Sequence, residues 1–172
     1  MYTTDELVGI NRTARSGGAV GGMAMLPRII VASSFGPDTR ILDYGAGPAV
    51  CQTLKLREVF GEVTAWEIGS NFNADLHDSR ALEHDYDVVM ASNVLNVQPS
   101  RAHVARVIEE VANVVVPGGY AFLNLPNEPR KCEDVSGEWV KEQLELYFDT
   151  VIVVNADVSA PIFVAHRPGV YE

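Results

Sequence analysis

Arg40-Ile41-Leu42-Asp43-Tyr44-Gly45-Ala46-Gly47-Pro48-Ala49 is the stretch from which the fold is read. Ile41 and Leu42 supply a buried apolar strand, Asp43 ends it, and two glycines turn the chain toward a helix. Gly45 and Gly47 permit backbone conformations, and a closeness of approach, that a Cβ would hinder. Backbone bared in this way beside a helix N-terminus is a ligand cradle.

The place of the acid narrows the ligand. In the dinucleotide fingerprint the glycines follow the strand and the ribose-binding acid comes about 20 residues later. Here Asp43 already stands two residues before the first glycine. A carboxylate there suits a ligand with a cationic or hydrogen-donating end and repels a pyrophosphate. The arrangement resembles motif I of the class I S-adenosylmethionine (SAM) methyltransferases, whose strand-end acid and Gly-x-Gly hold the methionine part of the cofactor. Ala49 stands where they carry a third glycine and still permits close helix–strand packing. The same place of Asp43 disfavours a nicotinamide dehydrogenase.

The chain has 172 residues, 47% hydrophobic and 21% charged, which suits one soluble domain with a real core. No apolar run is long enough to span a bilayer. Asp5 and Glu6 precede any basic cluster and no apolar signal core follows, so the expected compartment is the cytoplasm. Cys51 and Cys132 form no Cys-x-x-Cys, so neither a metal site nor a disulfide scaffold is expected. A net charge of −10 weighs against extended duplex nucleic acid, whose binding rests on Lys and Arg. It leaves room for a small molecule, a protein partner or a second copy of the chain.

Residues 1–18 read as a polar N-terminal arm or a lid, with Arg12 and Ser16 able to meet a carboxylate. Residues 19–172 read as the cofactor-binding domain. Ala19 to Phe35 carries a helix interrupted by Pro27. After the glycine turn, Val50 to Phe60 is expected as a helix with Leu54, Leu56, Val59 and Phe60 inward and Cys51 a small buried hydrophobe. Val63 to Glu67 is a strand that ends in a carboxylate 24 residues after Asp43. A Glu there supplies the bidentate acceptor that two ribose hydroxyls need.

Ile68 to Asp85 shows no convincing helix, and Phe72, Ala74 and Leu76 suggest at most a short edge strand. The sheet is therefore expected to be shortened around its third strand, its adenine pocket open or covered by a partner. Tyr86 to Ala91 is a central parallel strand. Ser100 caps a helix from about residue 101 to 115 with Val104, Val107, Ile108 and Val111 inward. Arg101, Arg106, Glu109 and Glu110 form its wet face, and His103 serves surface or packing. Val116 to Tyr120 turns into the strand Ala121 to Leu125, and Glu138 to Phe148 is a further helix. Val151–Val154 and Ile162–Ala165 make a closing antiparallel pair. The fold class is α/β, a doubly wound and mostly parallel sheet with a terminal antiparallel strand.

The resemblance implies roles. Asp43 meets the methionine amino group, and Tyr44, Gly45, Ala46 and Gly47 line the cofactor. Glu67 holds the ribose, Ile68 packs on adenine, and Asp78 reaches the adenine amino group. Ser92 and Asn93 sit nearest the methyl, and Asn96 orients the acceptor. A narrower likeness, to small bacterial and phage methyltransferase-like proteins, rests on Asn11-Arg12 with Ser16, on Leu42-Asp43-Tyr44-Gly45 and on Asn93-Val94-Leu95-Asn96-Val97. Ala46 and Glu67-Ile68 depart from that group's usual cysteine and Asp-Pro. Ser92-Asn93-Val94-Leu95 lacks the Pro-Pro-aromatic run of amino-directed DNA methyltransferases, and no Pro-Cys nucleophile is present. The expected function is SAM-dependent methyl transfer to an unidentified acceptor. The alternative is a catalytically inactive SAM-fold regulatory or partner subunit.

Overall fold

A computed structural model describes residues 1–16, 22–127, 130–154 and 160–169, the side chains of residues 13–16 excepted. Six strands form one sheet: β1 (Arg40–Tyr44), β2 (Glu62–Trp66), β3 (Tyr86–Ala91), β4 (Val115–Asn124), β5 (Thr150–Val154) and β6 (Ile162–His166). Their spatial order is β2-β1-β3-β4-β6-β5. The first four run parallel, and β6 enters antiparallel between β4 and β5. The α/β class and the terminal antiparallel strand are as read from the sequence.

The two-residue period of a strand sorts each β1 side chain to one layer. Ile41 joins Val63, Val88 and Met90 beneath α2 (Met25–Ala32) and α3 (Cys51–Arg57). Leu42 and Tyr44 join Val89 and Ala91 beneath α4 (Arg101–Asn113) and α5 (Gly137–Glu145). With 8 residues, α2 is too short to hold itself together in water. Burying Leu26 and Ile30 completely contributes about 1.5–3 kcal/mol each, which is what fixes it. In α4, Val104, Val107, Ile108 and Val111 all face the sheet, and the Ser100 hydroxyl accepts from the His103 N–H.

Several expectations need correction. In α3, Thr53 and Leu56 point inward, whereas Leu54, Val59 and Cys51 are exposed. The helix ends at Arg57, three residues sooner than the apolar spacing suggests. Phe72, Ala74 and Leu76 form no strand; the segment is a 3-10 turn at Gly69–Asn71 followed by tight turns. The outer edge of β2 is closed without a strand. The Arg57 guanidinium donates to the Val63 carbonyl at 2.8 and 3.0 Å, and the Asp78 N–H donates to the Ala65 carbonyl at 2.9 Å. On the wet face of α4, Glu110 turns partly inward to accept from the Tyr44 hydroxyl. Ala19 to Gly21, Gly17 and Gly18 lie outside the described residues.

Residues expected as an arm include helix α1 (Thr4–Ser16). Thr3 and Glu6 form a capping box: the Glu6 N–H donates to Thr3 Oγ1 and the Thr3 N–H to Glu6 Oε2. Ile10 and Asn11 are buried where α1 meets Gly69–Asn71 and Leu95–Val97. The Asn71 amide donates to the Asn11 carbonyl at 3.2 Å. Helix α1 thus packs over the shortened side of the sheet.

The strand β4 starts earlier than expected, at Val115, and bulges between Val115 and Tyr120, which face Tyr86 and Val88. A Cβ on Gly119 would lie 2.9 Å from the backbone oxygens of Asp87 and Val116. Gly119→Ala is expected to destabilise the protein by about 1–3 kcal/mol in urea unfolding. Gly36→Ala, with nothing within 4 Å of its Cβ, serves as the neutral control. Equal midpoints for the two variants would refute the bulge as drawn.

Candidate cofactor site

The carboxyl ends of β1, β2 and β3 converge on one cavity of about 390 Å3, its open mouth included. Tyr44 and Gly45 line it from β1, Glu67 and Ile68 from β2, and Asn93 and Val94 from the loop after β3. Tyr2 and Ile10 close it from the N-terminal side. The Tyr2 hydroxyl donates to Gln98 Oε1 at 2.5 Å, and its ring stacks on His103 at 4.7 Å.

The glycine turn is held open. Gly45 and Gly47 have φ of +73° and +78°, the left-handed region that favours glycine. A Cβ on Gly45 would meet Val94 Cγ2 at 2.7 Å, so this residue lets the two loops touch. A Cβ on Gly47 would meet nothing within 4 Å, so the outer face of the turn is free for a ligand. The buried carboxylate of Glu67 accepts the Gly47 N–H and the Ile68 N–H, both at 2.8 Å. Burial raises its pKa, against the lowering effect of those two N–H groups. Each carboxylate oxygen keeps a further lone pair for a hydroxyl donor.

Asp43 is placed otherwise than its motif role implies. Strand alternation sends its side chain to the α3 layer, where it accepts from Thr53 Oγ1 at 2.7 Å. It is 2% exposed and is not on the cavity wall. Burial pushes its pKa up to about 7, against the Thr53 hydrogen bond, and the charge of Glu67 adds to the rise. Tyr44 faces the opposite layer and donates to Glu110 Oε2 at 2.5 Å. Burial, with Glu110 second, raises the Tyr44 pKa well above the ordinary phenol range.

Beyond β3, Asn93 is exposed with φ +58° and is held by Asn124, the last residue of β4. The Asn93 N–H donates to Asn124 Oδ1 at 2.7 Å, and Asn124 Nδ2 donates to Asn93 Oδ1 at 2.8 Å. A backbone N–H can only donate, so it fixes which way both amides face, and Asn93 turns its own Nδ2 away from the pair. Ser92 is half-buried behind it. Asn96 is buried, and its carbonyl accepts from the Lys131 N–H. Ala46 and Gly47 are partly exposed along the turn, and Arg12 is exposed on α1. Asp78 is exposed, accepts from the Arg80 N–H and does not line the cavity. The Ser16 side chain lies outside the described residues. Sequence reasoning missed Tyr2, Gln98, Asn124 and His77; Tyr2 alone had a local signal, standing next to the Thr3 cap.

No family model and no curated protein sequence matches the chain. Solved structures do. Magnesium protoporphyrin IX methyltransferase from Synechocystis PCC 6803 with bound SAM aligns with a TM-score of 0.64 at 15% identity, over 93% of this chain and 80% of that one. The 16S rRNA N2 G1207 methyltransferase of T. thermophilus, in complex with AdoMet and guanosine, aligns at 0.59 and 16%, over 87% and 45%. A Bordetella parapertussis protein described only as possibly exported aligns at 0.61 and 13%, over 83% and 66%.

The Asp43 environment sets a pH dependence. Between about pH 4, the unfolded value, and pH 7 the folded protein keeps a proton that the unfolded chain has lost. Stability contributed by this group therefore falls as pH rises through that window and is level above it. Asp43→Asn is expected to flatten the decline and to gain on the wild type by pH 8, measured by urea unfolding from pH 5 to 8. Parallel pH profiles would refute it. With this topology, this glycine turn and these likenesses, the chain has the fold of the class I S-adenosylmethionine-dependent methyltransferases.

Proposed function

We propose that the protein is a SAM-dependent methyltransferase. One observation carries the reading: a doubly left-handed glycine turn and a strand-end carboxylate, tied together by the Gly47–Glu67 hydrogen bond, bound the same rim cavity as Asn93. The residues fit the cofactor. The open face of Gly47 leaves space, Glu67 keeps lone pairs for ribose hydroxyls, and Ile68 and Val94 supply apolar wall for a purine.

When bound, the sulfonium cofactor supplies an already electrophilic methyl group. The chain's own task is then to hold, align and exclude water. Gly45, Ala46 and Gly47 present backbone to the methionine part. Asp43 lies behind the turn, off the cavity wall, and its ionised form favours a cationic amino group from there without touching it. Glu67 holds the ribose, and Tyr2 and Ile10 shield the cavity from solvent as a lid. Asn93, locked by Asn124, offers its amide N–H groups at the rim where the acceptor enters. Among the cavity-lining residues, Tyr2 and Tyr44 donate their hydroxyls to Gln98 and Glu110, and the free lone pairs of Glu67 are given to the ribose, so none of the three is assigned as a general base. The reading therefore calls for an acceptor that needs little activation.

Titration calorimetry with S-adenosylhomocysteine (SAH), the demethylated product, tests this. Saturable binding is expected, weakened at least about tenfold in Glu67→Ala, which loses charge-assisted hydrogen bonds. No heat of binding at millimolar SAH would remove the proposal. Binding without methyl transfer to any small molecule, nucleic acid or protein offered would favour a regulatory subunit of the same fold.

A further inference from the structure

The segment that replaces the third strand does more than close an edge. His77 lies within it, 5% exposed, and its Nε2 is 2.8 Å from the Gly47 carbonyl oxygen. A carbonyl only accepts, so Nε2 carries the proton. Nδ1 lies 3.0 Å from the Asn73 nitrogen and 3.2 Å from the Asn73 carbonyl oxygen, so Asn73 backbone holds that side of the ring. Both ring nitrogens thus have backbone partners. The ring also packs on Phe72, centroids 5.8 Å apart. Gly47 is thereby gripped from two sides: its N–H by Glu67 at the end of β2, its carbonyl by His77 from the turn beyond.

We propose that His77 is a positioning residue of the cofactor site, whose imidazole sets the Gly47 peptide before any ligand arrives. The ligand half of this statement rests on reading the glycine turn as the SAM cradle. Backbone hydrogen bonds from the Gly45 and Ala46 N–H groups to the Trp66 carbonyl hold the start of the turn, whereas Gly47 itself is held by these two side chains. Loss of the His77 contact would leave the Gly47 carbonyl without its buried donor and free the peptide to rotate.

Two amide variants separate the roles of the two nitrogens. His77→Gln places a donor near the Nε2 position, whereas His77→Asn places an acceptor near the Nδ1 position and cannot reach Gly47. SAH affinity is measured by calorimetry, hydrogen exchange over residues 45–50 on the unliganded protein, and thermal unfolding as the structural control. The expected result is SAH binding within about threefold of wild type for His77→Gln and weaker by about ten- to a hundredfold for His77→Asn, the span of one lost buried hydrogen bond. Exchange at the Gly47 amide should rise in His77→Asn and not in His77→Gln, at similar melting temperatures. Equal SAH affinity and equal exchange in both variants, or equal losses in both, would overturn the proposal. Failure of the wild type to bind SAH would instead strike the methyltransferase reading, while exchange at Gly47 would still decide whether His77 sets the turn.

Discussion

The hydrogen bond from the Gly47 N–H to the Glu67 carboxylate holds the two halves of the site at one spacing. It ties the turn after β1 to the end of β2, two parallel neighbours whose register already places Tyr44 beside Trp66. The Gly45 and Ala46 N–H groups both donate to the Trp66 carbonyl, at 2.9 and 3.0 Å, so the turn is sewn to β2 along its length. With His77 on the far side, a left-handed backbone that glycine alone would leave loose becomes a fixed surface. Burial of Glu67 is tolerable because two N–H groups compensate its carboxylate. The same group that shapes the cradle is thus left with directed lone pairs toward the cavity.

Shortening of the sheet is the second constraint. A β2 without an outer neighbour would expose unpaired backbone and an open cavity flank. Arg57 and the Asp78 N–H satisfy the edge, and α1 covers the flank through Ile10, Asn11 and Tyr2. Tyr2 is fixed by Gln98 on one side and by the His103 ring on the other, so the start of the chain is anchored to the loop after β3 and the start of α4. Covering and closing are therefore done by one segment, which links access to the cavity with the packing of the N-terminus.

Local signals carried far. Leu42-Asp43-Tyr44-Gly45 marked the strand and turn, Ser100 marked the start of α4, and the apolar run Tyr86–Ala91 lies at the centre of the sheet. The lack of a helix in Ile68–Asp85 was legible because no amphipathic period runs through it, whereas the alternation of Phe72, Ala74 and Leu76 pointed to an edge strand that the chain does not form. What could not be read were contacts between residues remote in sequence. Tyr44 with Glu110, Asn93 with Asn124, and His77 with Gly47 each join segments at least 30 residues apart. Asp43 turns away from the cavity wall because side chains alternate along β1, which a motif does not encode. The capping box of Thr3 and Glu6 is a local signal for α1 that the reading of residues 1–18 as a polar arm or lid passed over.

The account stands on the glycine turn being a finished surface rather than one moulded by its ligand. A crystal structure of the SAH complex tests this most directly. The account predicts a ribose hydroxyl within hydrogen-bonding distance of Glu67 and a Gly45–Gly47 backbone that superposes on the unliganded turn. SAH seated elsewhere, or a turn refolded around it with the Gly47–Glu67 bond broken, would contradict it.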